Sequence, residues 1–167
     1  MTVKEREMLQ MCGAGCSAVS WQTKDDCVLW GRNMDFNRMA QGSAPTFFPR
    51  GQVYCTCGSK WEGNLVEDSR QTTAYAALGT GLIISPESPV LYEGINEKGL
   101  MGGQLYYREF AHYEDAPQPG RLAVQPPFVV YHLLAQCASV QEVVQQLQEK
   151  ISLLALPMLG TVPSLHW

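Results

Sequence analysis

Charge of either sign is scarce in this 167-residue chain, where Lys and Arg number 12 and Asp and Glu number 16. A net charge of -4 and a pI near 5.3 leave no basic surface from which nucleic-acid binding would be argued. No run approaches the roughly eighteen apolar residues that span a bilayer, so no membrane partner is expected. The first fifteen residues, MTVKEREMLQMCGAG, lack the apolar middle of a secretory signal, and a cytoplasmic protein with reduced thiols is the expectation. Histidine occurs only three times. Of these, His112 lies in a turn-rich loop and His132 in a helix, neither in a cysteine-protease context, so both are assigned to surface or core. What is plentiful is ordinary globular material: 46% hydrophobic residues and enough length for one domain with a real core.

Six cysteines, at 12, 16, 27, 55, 57 and 137, raise the question of metal. Cys12-x3-Cys16 with Cys55-x-Cys57 offers four thiolates, but neither spacing is the usual two-residue zinc knuckle. No metal or other cofactor is expected. Cys27 and Cys137 stand in apolar surroundings and are read as small core residues.

The informative stretch runs from Cys16 to Asp35, CSAVSWQTKDDCVLWGRNMD. It reads as two strands, 17–22 and 27–31, joined by the polar turn Thr23-Lys24-Asp25-Asp26. Cys16 stands at the start of the first strand, and Arg32 and Asp35 follow the end of the second. An antiparallel hairpin brings its open ends together, so these three residues meet although far apart in sequence. A thiol reacts as its thiolate, which a nearby cation or base favours, and a carboxylate orients the group that holds the proton. A cysteine, an arginine and an aspartate at one hairpin are equally compatible with a buried thiol and a solvated ion pair.

Further along, 37–46 reads as a loop and pocket wall, 47–57 as strand with Pro49 at an edge or a strand start, and 61–71 as a polar turn. Residues 72–79 read as a strand covered on both faces. Residues 90–95 and 100–107 form a second hairpin about the turn Asn96-Glu97-Lys98-Gly99, with Gly99 suited to positive φ. Gly102 and Gly103 suggest close approach of a backbone or ligand. A helix begins near Pro126 or Pro127. Ser139-Val-Gln-Glu142 is a capping box opening an amphipathic helix with Val140, Val143, Val144, Leu147 and Ile151 at helical spacing. Helices after several strands predict an α+β arrangement with helices on one face of an antiparallel sheet.

The run C-S-x-x-S-x-x-T-x-D-x5-G-R-N-M-D-F resembles the mature amino terminus of the choloylglycine hydrolase family, which holds conjugated bile acid hydrolases and penicillin V acylases. FFPR at 47–50, SPVLYEGINEKGLMGGQLYY at 88–107 and PSLHW at 163–167 agree in the same order. The resemblance implies a four-layer αββα N-terminal-nucleophile hydrolase fold and a small-molecule amide as substrate. It implies that residues 1–15 are a pre-segment, removed to leave Cys16 as an amino-terminal nucleophile, and that 16–167 are the first part of a single domain. Cys12, if exposed after Met11, would compete, but the family distance to the GRNMD arginine fits Cys16. The resemblance further gives Arg32 a role at the thiol and Asp35 one at the cysteine's amine. It puts Met34 in the acyl pocket and Tyr106 at the oxyanion site, where tyrosine leans toward the penicillin acylases.

PSLHW matches a point near the middle of related chains, so a second oxyanion donor, a second arginine and further strands are expected to lie beyond it. One sheet of a two-sheet sandwich would expose an apolar face. A homo-oligomer is expected of the full-length enzyme. Two other readings stay open: a catalytically inactive fragment or half of a split enzyme, and a thiol-rich metal-binding module.

Overall fold

The computed structural model describes residues 14–36, 42–57, 69–83, 87, 89–107, 109–157 and 162–167. The chain divides into two compact units, Met1–Gly42 and Ser43–Trp167. Residues 1–13 of the expected pre-segment, 37–41 of the expected loop and 61–68 of the expected turn fall outside the described residues.

In the first unit β1 (Ala14–Gln22) pairs antiparallel with β2 (Val28–Phe36). The turn forms where expected: Thr23 N–H donates to Cys27 O at 2.8 Å, Cys27 N–H donates to Thr23 Oγ1 at 3.1 Å, and Asp26 takes a φ of 61°. β2 is longer than the sequence suggests, so Arg32 and Asp35 lie within it rather than after it. The polar side chains of GRNMD do not break the strand, because its carbonyls and amides are already committed to β1. Cys27 is exposed beside the turn, correcting its assignment to the core.

The second unit is built on an antiparallel sheet in the order β3 (Ser43–Phe48), β6 (Ala77–Ile83), β7 (Pro89–Asn96), β8 (Met101–Gly103). The segment 43–46, expected as loop, belongs to β3, and Pro45 is tolerated because β3 is an edge strand. Pro49 ends β3, and the chain turns through Gly51 (φ 76°) into β4 (Val53–Cys55), which pairs with β5 (Arg70–Thr72). Residues 73–76 are therefore a turn between β5 and β6, not part of one continuous strand. After β8 the chain breaks at Gln104, and β9 (Leu105–Tyr106) pairs instead with β12 (Leu165–His166).

Pro126–Phe128 forms a 3-10 turn leading into α1 (Val129–Gln136), in keeping with proline's tolerance for a helix's first turn. Ser139 caps α2 (Val140–Gln145), accepting from Glu142 N–H at 3.3 Å, while Glu142 reaches back to Ala138 N–H at 2.8 Å. That helix stops sooner than its periodicity predicts: after a wide turn over Gln146–Lys150, Ile151 enters β11 (Ile151–Leu153), parallel to β10 (Leu122–Val124). A parallel pair needs a long crossover, which α1 and α2 supply.

One face of the sheet packs on α1. Phe48, Leu91, Tyr54, Tyr131 and Leu134 form the main cluster, with the Tyr54 and Tyr131 rings edge to face at 4.7 Å. On the other face Phe47, Leu78 and Ile95 stand in register across three strands, and all are exposed. Residues 72–79 are thus not covered on both sides, and the sheet presents the apolar face expected of one layer of a sandwich.

Candidate active site

Strand pairing fixes the geometry of the hairpin. Cys16 lies opposite Met34 and Ala18 opposite Arg32, so Cys16, Met34 and Arg32 share one face, with Arg32 on the diagonal from Cys16. A long side chain bridges such a diagonal, and Arg32 Nη2 donates to Cys16 Sγ at 3.1 Å. Both residues are half-buried, as is Met34. A guanidinium N–H directed at sulfur suits a thiolate, since it brings a fixed charge and a hydrogen bond to the same atom.

Asp35 lies opposite Gly15, and alternation turns it to the other face from the Cys16 sulfur. It is exposed. Its register partner is therefore the residue whose carbonyl is bonded to the Cys16 nitrogen. Tyr106 belongs to the second unit, half-buried on β9 with Leu165 as its register partner.

Two features of the second unit were not foreseen from sequence. Asn96 is buried with every hydrogen-bonding site of its side chain used: Nδ2 donates to Leu134 O (2.9 Å) and Cys137 O (2.7 Å), and Oδ1 accepts from Lys98 N–H (3.0 Å) and Leu100 N–H (3.1 Å). It ties the β7–β8 turn to the end of α1. Beside it Glu97 takes a bidentate pair from Arg50, with Nε to Oε1 at 2.6 Å, and also accepts from Ala76 N–H at 2.6 Å. The hydrogen bond from Arg50 is the main reason the Glu97 carboxyl is held at about 2. The FFPR and NEKGL segments are thus joined physically, and NEKG is more than a turn. The clue available in the sequence was the Asx-turn pattern, an Asn followed two residues later by a free amide.

The other is Tyr113. Its hydroxyl accepts from Leu165 N–H at 2.8 Å and lies 2.9 Å from Pro163 O, holding β12 in place against the strand that carries Tyr106. Nothing in HYEDAPQPG marks that tyrosine from its neighbours.

The comparisons with known proteins agree with one another. Residues 16–167 match the model of the linear amide C-N hydrolases, choloylglycine hydrolase family. The bile salt hydrolase/transferase of Clostridium perfringens is 30% identical over 154 residues, covering 91% of this chain and 44% of that protein. Crystal structures of the conjugated bile acid hydrolase from the same organism superpose with TM-scores of 0.75, at 27% identity, and 0.73, at 28% identity. The first covers 92% of this chain and 44% of the solved one, the second 90% and 43%. One is a mutant with a cysteine replaced by alanine, the other a variant with an arginine replaced by leucine. The chain therefore spans less than half the length of the relatives it matches, and its fold is theirs, the N-terminal-nucleophile hydrolase fold. It belongs to the choloylglycine hydrolase family of linear amide C-N hydrolases.

Proposed function

We propose that this chain carries the nucleophile of an amidase that cleaves a linear carbon-nitrogen bond, with Cys16 acting from a free amino terminus. The observation that carries this is the 3.1 Å hydrogen bond from Arg32 to Cys16 Sγ at the family's motif. Maturation starts when Sγ attacks the Gly15 carbonyl. The peptide C–N bond breaks as a thioester forms, and water then releases residues 1–15 and leaves Cys16 with a free amine.

In turnover that amine takes the Sγ proton and the thiolate attacks the substrate carbonyl. The carbonyl oxygen becomes an oxyanion that Tyr106 stabilises. Collapse expels the substrate's amine, which leaves with the proton from the Cys16 ammonium. Water, deprotonated by the same amine, then hydrolyses the thioester. Arg32 holds the sulfur, Asp35 orients the amino group, and Met34 lines the acyl pocket. Substrates are penicillin V or a conjugated bile acid. Tyr106 favours the first, and the likeness to bile acid hydrolases favours the second.

The test is the intact mass of freshly purified protein beside its Cys16→Ala form. Loss of residues 1–15 from the wild type alone is expected. Full mass in both would overturn self-processing by Cys16. Hydrolysis of penicillin V and of a glycine-conjugated bile acid, assayed side by side, then separates the two substrates.

A further inference from the structure

A second cavity lies in the Ser43–Trp167 unit, between the edge strand β8 and the helices, and the amide chemistry above makes no use of it. Its volume is about 130 Å³ and it is partly open. Val130 and Leu134 of α1, Val140 and Val143 of α2, and Trp167 wall it on one side, and Gly102 of β8 on the other. No charged side chain lines it.

The cause is legible in a pair of glycines. Gly102 is the register partner of Gly94, so both present the same face of the sheet. A Cβ placed on Gly94 would come within 2.9 Å of Leu134 Cδ1, because there the helix lies directly on the backbone. A Cβ placed on Gly102 would meet nothing within 4 Å. One strand further out, the helical layer has drawn away and the sheet supplies no side chain to fill the gap. Gly102 has no positive φ that would require glycine, so the empty space is not a by-product of a turn.

We propose that this cavity is a binding site for a small uncharged apolar group, an aromatic ring or a short branched alkyl chain. Size and lining both point there: an apolar cavity of about 150 Å³ stays dry in water and takes up benzene, whereas a charged ligand would find no side chain of opposite charge in this one. Removing the apolar surface of such a ligand from water drives the binding. The site does not depend on Cys16, so its fate and that of the amidase reading are independent.

Benzene is the probe, and thermal unfolding of the 167-residue chain is the readout. At about five times its Kd, benzene should raise the midpoint by about 2–4 °C, and the rise should continue with the logarithm of the benzene concentration, as one-site binding requires. Gly102→Val fills the cavity from the sheet and Val143→Phe from the helix, and in both the rise should vanish. Two variants from opposite walls guard against one that fails to fold. The exposed row of Phe47, Leu78 and Ile95 is the rival site for benzene, and binding there would persist in both variants. A wild-type midpoint that does not move, or a shift that survives in either folded variant, overturns the proposal.

Discussion

The hairpin and the core of the second unit handle the same side chains in opposite ways. At the hairpin's open end Cys16 receives a hydrogen bond from a guanidinium, and at its turn Cys27 Sγ donates one to Asp25 Oδ2 at 3.7 Å. Both thiols have charged neighbours and some access to water. In the second unit Cys57 and Cys137 are fully buried, and Cys57 Sγ donates to the carbonyl of Ala123 at 3.4 Å. Burial pushes both of these thiols up to about 11. Reactivity in this protein is thus assigned by surroundings rather than by residue type. The charged hairpin is where a nucleophile can work, and the core is where a thiol is only a small apolar side chain.

The largest effect that would break this contrast is in alkylation rates. With iodoacetamide at neutral pH, Cys16 and Cys27 should be modified in the native protein while Cys57 and Cys137 stay intact. A thiol shifted from 9.0 to about 11 loses a factor of about 100 in thiolate, and exclusion of the reagent multiplies it. Peptide mapping over time measures the ratio. Core cysteines labelled at rates within tenfold of Cys27 would show that the second unit opens readily and would erase the distinction.

Acid should separate the regions next. His132 is fully buried, and its Nδ1 is 2.9 Å from Tyr54 Oη, which itself accepts from Gln136 Nε2 at 3.0 Å. Burial lowers the His132 pKa from 6.5 to about 4. The unfolded chain takes up that proton near 6.5 and the folded one only near 4, so the unfolded state binds more protons in between and stability falls as pH falls through this window. The loss should reach about 3 kcal/mol by pH 4. Urea unfolding at pH 7, 5.5 and 4.5 measures the slope, and His132→Phe should flatten it. An unchanged slope in that variant would place the acid sensitivity elsewhere.

How much of this was legible in the sequence differs between the regions for a physical reason. The hairpin is local: its turn residues, alternating apolar positions and the Cys16 to Arg32 separation are all written within 21 residues, and the misreadings were the lengths of its two strands and the placing of Cys27 in the core. The turn of the β7–β8 hairpin and the Ser139 cap were likewise local and came out as expected, whereas the strand read through to 107 ends at Gly103 because Leu105 and Tyr106 pair with Leu165 and His166. Errors gathered where partners are distant in sequence. Ile151 looks helical by spacing but is claimed by Leu122, and residues 72–79 look like one strand but are divided because Thr72 pairs with Val53 and Ala77 with Asn96. Asn96, Glu97 and Tyr113 owe their importance to residues 35 or more positions away, such as Leu134, Arg50 and Leu165, which no window along the chain contains.

The smallest effect is the one that most sharpens the comparison, because it is read within one hairpin. If Arg32 is what distinguishes Cys16 from Cys27, then Arg32→Met, which keeps length and apolar stem but removes the charge, should slow alkylation of Cys16 about tenfold at neutral pH, the scale of one lost charge-assisted hydrogen bond. Cys27 serves as the reference in the same molecule and should not change, since its partner is Asp25. Asp25→Asn should have the converse effect: removing the carboxylate that holds the Cys27 proton speeds Cys27 and leaves Cys16 as it was. The two variants move the Cys16 to Cys27 ratio in the same direction by different atoms, so they separate a local cause from a general loosening of the hairpin, which would speed both thiols together. A ratio unmoved by Arg32→Met would mean that the guanidinium merely rests on the sulfur, and the special character of Cys16 would then have to come from its own amine after the Gly15-Cys16 bond is cut.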